Sequence, residues 1–286
     1  MRTLVVNSGE IAHMSHGDSS KPLIGEEMGD KDLNIYSEGL GILVEDGIIL
    51  SIRDSEELIS EYAPSWDRNS EKIGDMNIID AKGGAIVPGF VDSHTHLIWG
   101  GDRSNEMALR QRGLSYSDIS KLGGGISKTV EATRRLSIQE LVDIGVQRAS
   151  NALRMGTTTM EAKSGYGLST ESELKLLEAT ERVNRISVCD IQATWLGAHD
   201  VPKQNNKEEY IEELISKQLP MVVEQGIAVW ADVFCEPGWF TVDDTIEIIT
   251  ASKNVGLGSR IHADEFLDSG GSVSYTHLRA HETPIN

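Results

Sequence analysis

Cysteine is almost missing from this chain. Cys189 and Cys235 are the only two in 286 residues, which excludes a disulfide framework and fits a reducing compartment. No apolar run approaches the length of about 18 residues that a membrane span needs. The opening Met1-Arg2-Thr3-Leu4-Val5-Val6-Asn7 has no sustained apolar core and no small-residue cleavage site, so a secretory leader is not expected and a cytoplasmic location is. Positive charge is scarce as well. There are 26 Lys and Arg against 45 Asp and Glu, a formal net charge of −19. That balance disfavours nucleic acid and anionic membranes as partners. It fits a soluble enzyme and says nothing about the reaction.

What is present divides into two styles. Residues 1–83 read as part of a small β-rich domain. Within it, Leu40 to Ile52 is strand, Asp-Gly turn, strand. His13 to Asp32 is polar and Gly-rich and reads as a loop, with His13 and His16 solvated. Residues 84–272 read as α/β, a run of strands alternating with helices. The strand candidates are Gly84 to Val91, Thr157 to Lys163, Asp190 to Gly197, Val229 to Cys235 and Leu257 to Ala263. The helical stretches are Ser137 to Met155, Thr170 to Asn184, Lys207 to Gln225 and Val242 to Lys253. Each unit takes roughly 30 to 40 residues, the rhythm of a parallel β/α array. Five strands are visible, where a closed (β/α)8 TIM-like barrel needs eight, so the expected fold is a partial barrel.

The chemistry gathers at the ends of those strands, where such barrels build their sites. The leading motif is Val91-Asp92-Ser93-His94-Thr95-His96-Leu97. On a strand, residues i and i+2 face the same side, so His94 and His96 can reach one metal ion, and imidazole suits zinc and iron. Two ordinary histidines near a strand end would look the same. The weight comes from company: Glu161, Lys163 and Tyr166 after the second strand, His199 after the third, Glu236 after the fourth, and His262, Asp264 and Glu265 after the fifth.

Taken together, several segments resemble the amidohydrolase superfamily and, within it, the imidazolonepropionases of histidine degradation. They are residues 88–96 (Pro-Gly-Phe-Val-Asp-Ser-His-Thr-His), Gly100 to Met107, Gly123 to Ile126, Lys163-Ser164-Gly165-Tyr166-Gly167 and Ile261 to Glu265. The His-x-His is common to the superfamily, whereas the other elements are specific to this branch. The resemblance implies one Zn²⁺ or Fe³⁺ ion held by His94, His96, His262 and an aspartate beyond the present residues. It implies substrate contacts by Arg103, Tyr166, His199 and Glu265, with Tyr116 a weaker candidate. The implied substrate is 4-imidazolone-5-propanoate and the implied product N-formimidoyl-L-glutamate. Arg103 would hold the propionate, His199 would stabilise the oxyanion together with the metal, and Glu265 would move the proton. Lys163 sits where some relatives carry a carboxylated lysine, and is read here as structural or electrostatic. A homodimer is implied too. Another cyclic amidohydrolase or a deaminase on the same barrel is the closest alternative, and a catalytically dead metal- or partner-binding chain is a third.

Two motifs mislead. Gly123-Gly124-Gly125-Ile126-Ser127-Lys128-Thr129 imitates a phosphate-binding loop, but lacks the glycine before the lysine and a preceding strand; a loop over the substrate fits better. His277 and His281 imitate a second metal pair. Residues 273–283, however, read like an in-frame translation of a sequencing adapter, so residues 273–286 are expected to be a non-native tail. On that reading the chain as it stands is expected to fold poorly and to be inactive.

Overall fold

The computed structural model describes residues 1–14, 23–114, 118, 119, 122 and 124–280. The chain divides into two compact units, Met1–Gly89 and Phe90–Asn286.

The first unit is built on strands β1 (Arg2–Val6), β2 (Ile11–Ala12), β3 (Ile35–Tyr36), β4 (Leu40–Glu45), β5 (Ile48–Asp54), β6 (Lys72–Ile73) and β7 (Met76–Asp80). Five of them form a sheet in the order β5-β4-β1-β7-β6, and β2 pairs with β3. The β4–β5 hairpin turns at Asp46 and Gly47, with φ of 50° and 83°. Both values lie in the left-handed region that a tight hairpin turn of this twist demands. A helix over Ser55–Tyr62 follows at once, its first turn closed by the Asp54 side chain accepting from the amides of Glu56 and Glu57. It buries Leu58 against Leu4, Val6, Leu43 and Ile78. The region read as a loop is partly ordered otherwise. A 3-10 turn spans Gly25–Gly29 and a short helix spans Lys31–Asn34, capped by Asp30. His13 stacks on Tyr36 at 4.2 Å between ring centroids; His16 lies outside the described residues.

The second unit carries β8 (Phe90–Asp92), β9 (Thr157–Lys163), β10 (Asp190–Ala198), β11 (Trp230–Cys235), β12 (Gly258–Ser259) and β13 (His262–Ala263). All neighbours are parallel and the order follows the chain, β8-β9-β10-β11, with β12 and β13 both pairing β11. This is the expected partial TIM-like α/β barrel, with five strand positions and the last one broken into two pieces. Two apolar clusters fill the spaces between sheet and helices. One packs Leu141, Val142, Met160, Leu176 and Val183; the other packs Trp195, Tyr210, Leu214, Val233, Phe240 and Ile248.

The first strand departs from expectation. It is three residues long rather than eight, and all three are exposed. Ile86 instead bridges to Ile11 in the first unit. β8 ends the sheet order and pairs with β9 alone, so its outer side has no strand to cover it among the described residues.

The helices follow local chemistry. Ile138–Arg154 starts with a capping box between Ser137 and Glu140 and stops before Gly156, whose φ is 96°. Thr170–Ile186 starts at the Ser169 cap. The helical stretch expected from Lys207 to Gln225 is helical throughout but underwound in the middle, with a π turn at Leu214–Gln218. That turn faces the Gln218 side chain inward, where its Oε1 accepts from the Trp195 indole at 2.6 Å. A last helix spans Gly271–Ala280, running through residues expected to be a tail; the Tyr275 hydroxyl donates to the Ser259 carbonyl.

Candidate metal centre

The residues after β8 are held by their carbonyls. Ser93 O accepts from Arg260 at 3.2 Å, Thr95 O from the Lys163 amide at 2.9 Å and Leu97 O from Arg148 at 2.9 Å. The Asp92 carboxylate accepts from the His94 amide at 3.2 Å, which bends the chain out of the strand. His94 and His96 therefore follow the strand rather than lie within it. Their shared direction comes from this row of anchored alternate carbonyls.

His262, from β13, completes the group. Side-chain nitrogens of His94, His96 and His262 all lie within 4.8 Å of one another. Burial lowers the pKa of His94, and lowers that of His96 far more, with the neighbouring imidazoles adding to both shifts. Neutral imidazole is the form a metal requires. Nδ1 of His96 and Nδ1 of His262 are buried without a hydrogen-bond partner, as is Oδ1 of Asp232. Buried polar atoms are seldom left so. Three converging imidazoles, two of them with an unsatisfied buried nitrogen, fit a divalent or trivalent cation.

Beneath the histidines lies a buried charge network. Lys163 Nζ contacts Asp232 Oδ2 at 2.5 Å and Glu161 Oε2 at 2.8 Å. Arg260 reaches Glu161 Oε1 at 2.6 Å, and Thr194 donates to the same oxygen at 2.5 Å. His262 Nδ1 stands 3.0 Å from Asp232 Oδ2, a charge contact that is not aligned as a hydrogen bond. Burial by itself would raise the pKa of the Asp232 carboxyl; His262 and Lys163 outweigh it and hold it below the usual range. The lysine thus lies ion-paired between two carboxylates.

A cavity of about 330 Å³ opens over the histidines. Arg103, Tyr166, His199 and Glu265, all named from the sequence, line it together with Arg110, Ile126, Phe234, Trp239 and Phe266. His96 stacks on His199 at 4.8 Å, and Tyr166 stands edge-on to His199 at 5.2 Å. His199 Nδ1 lies 2.8 Å from the Gly165 carbonyl. A carbonyl can only accept, so Nδ1 carries the proton. Burial pulls the pKa of His199 down to about 4, leaving Nε2 with a lone pair at neutral pH. A neutral ring of this tautomer offers an acceptor at Nε2. A side chain at Gly165 would be strained: its φ is 93°, and a Cβ would stand 2.8 Å from His199 Nδ1.

Glu265 is placed by Glu236, a buried carboxylate that accepts from the amides of Glu265 and Phe266. Asp264, at φ 59°, turns away from the cavity and caps Ser269 and Ser272. Tyr116, Gly123 and His281 lie outside the described residues. Of the glycine-rich segment, Ile126 lines the cavity and Lys128 points to Asn105 at 3.4 Å. Sequence reasoning did not single out Arg110 or Asp232. A lone aspartate inside the apolar β11 was the available signal for Asp232.

An amidohydrolase-family profile matches residues 77–142. The chain is 40% identical over 280 residues to an imidazolonepropionase of Symbiobacterium thermophilum, covering 97% of this chain and 62% of that protein. It is 44% identical over 245 residues to the imidazolonepropionase of Thermoanaerobacter pseudethanolicus, covering 82% and 57%. The chain is thus similar to amidohydrolases along nearly its whole length. The chain spans about 62% of the length of the first curated relatives it matches. Among solved structures, 5-methylcytosine deaminase from Klebsiella pneumoniae, liganded with 5-fluorocytosine, superposes with a TM-score of 0.60 at 14% identity, over 98% of this chain and 56% of that one. An uncharacterized metal-dependent hydrolase from Pyrococcus furiosus gives 0.55 at 14%, over 99% and 71%. At these identities the likeness is one of fold. No helix of the described residues is long and apolar enough to cross a membrane.

Proposed function

We propose that this protein hydrolyses the cyclic amide C–N bond of 4-imidazolone-5-propanoate to give N-formimidoyl-L-glutamate. The observation that carries the reading is the convergence of His94, His96 and His262 beneath a cavity that also holds Arg103, Tyr166, His199 and Glu265. His94, His96 and His262 would hold one Zn²⁺ or Fe³⁺ ion. When bound, that ion supplies Lewis acidity and a water activated near neutral pH. Arg103 binds the propionate through its planar fork. Tyr166 packs against the ring. His199 accepts a hydrogen bond at Nε2 from a ring N–H, which its neutral state permits. Glu265 carries the proton from the attacking water to the departing ring nitrogen, its backbone held by Glu236. One water adds across one C–N bond, so atoms balance without a co-reactant. Cytoplasmic location and a homodimer belong to the same reading and are supported by the resemblance alone.

The test is an assay of the metal-loaded protein expressed from its complete reading frame. One metal ion per chain is expected, with imidazolonepropionate absorbance lost as N-formimidoyl-L-glutamate forms in equal amount. Full metal loading with no formimidoylglutamate formed refutes the assignment. Release of ammonia from a nucleobase would favour the deaminase alternative.

A further inference from the structure

The cavity contains a second guanidinium that the reading above leaves without a task. Arg103 sits just before the helix Asn105–Gln111, and Glu106 and Arg110 lie on that helix. Glu106 and Arg110, i and i+4, share one face of it, and Arg103 reaches Glu106 from the preceding turn. Arg103 commits two of its nitrogens to Glu106, with Nε at 3.0 Å and Nη2 at 2.8 Å from the same oxygen. Glu106 is buried, and its other oxygen accepts from the Gly125 amide at 2.9 Å. The hydrogen bond from Arg103 holds the pKa of that carboxyl below its usual range, the charge of Arg110 adding to the effect, so the carboxylate is ionised. Glu106 thus fixes Arg103 from behind, while Glu265 lines the same cavity. Arg110 lines the main cavity and also the adjoining one between Trp99, Met107 and Thr129. Among the described residues it makes no ion pair.

We propose that Arg110 is a second carboxylate-binding residue, forming with Arg103 a two-guanidinium clamp that selects ring substrates bearing a single carboxylate. This rests on the proposed function and sharpens its substrate class. Two guanidinium groups can meet the two oxygens of one carboxylate. A neutral ring of the same size gains nothing from them.

The probes are 3-(imidazol-4-yl)propanoate and its neutral carboxamide, titrated calorimetrically into the metal-loaded protein. The parent is expected to prefer the acid by at least about tenfold, the scale of one charge-assisted contact. Arg110→Gln removes most of that preference and leaves the amide affinity within about twofold. Arg110→Lys, which keeps charge but not the fork, retains part of it. An Arg110→Gln protein that keeps the full preference overturns the clamp and leaves the proposed function standing on Arg103. Equal loss of both probes overturns it too, since the effect is then structural. A parent that does not prefer the acid sinks both the clamp and the anionic substrate class.

Discussion

Replacing Lys163 with Met removes the one ammonium shared by two buried carboxylates. The side chains of Lys163, Glu161 and Asp232 are 2%, 1% and 0% exposed, so water cannot compensate. The loss is unequal. Glu161 keeps Arg260 at 2.6 Å and Thr194 at 2.5 Å. Asp232 keeps only the His262 contact at 3.0 Å, with its other oxygen already unpartnered. The substitution therefore leaves one uncompensated buried charge, and breaking such a pair costs about 3–5 kcal/mol. The assay is urea unfolding of the metal-free protein at pH 7, followed by circular dichroism, so that metal binding does not add to stability. Adding Asp232→Asn to Lys163→Met removes the stranded charge, and the double variant is expected to recover about 2 kcal/mol. A cost below about 1 kcal/mol for the single variant, or simple addition of the two losses in the double, refutes the reasoning.

Two more expectations follow from named geometry. Gly165→Ala combines a left-handed φ of 93° with a Cβ 2.8 Å from His199 Nδ1; a loss of about 1–3 kcal/mol is expected in thermal unfolding, and an unchanged melt contradicts it. Asp244 completes a capping box with Thr241 and pairs with Lys207 at 2.7 Å. Burial raises its pKa, but Lys207 and the cap outweigh burial and lower it overall. A depressed folded-state pKa contributes stability above the unfolded value of about 3.9, and that stability is lost as pH falls through the lower folded value. Asp244→Asn should thus cost about 1 kcal/mol at pH 7, with the gap to the parent closing below about pH 4. A gap independent of pH would show that the carboxylate charge contributes nothing.

Much of the fold was legible because its signals are local. Thr157–Lys163 matches the expected strand end to end, and the helix after Ser137 begins and ends where its capping box and Gly156 place it. The misreadings have local causes as well. Gly84 to Val91 is apolar enough for a buried strand, yet apolarity cannot say whether a partner lies on both sides. The helix at Ser55–Tyr62 has its Asp54 cap in plain view, but its short amphipathic pattern is hidden behind the hairpin before it.

By itself, the sequence determined the alternation of strand and helix and the residue types at the strand ends. It also placed His94 and His96 two apart, because spacing and propensity act over a few residues. Only the tertiary structure decided how those residues work together. Lys163 and Asp232 are 69 positions apart and meet at 2.5 Å. The tautomer of His199 depends on a carbonyl 34 positions earlier, and the placement of Glu265 on a carboxylate 29 positions earlier. Arg110 reads as one more charged residue on a short helix until the cavity shows what it faces. Burial and pairing across strands set charge state, and neither has a signature within a window of sequence.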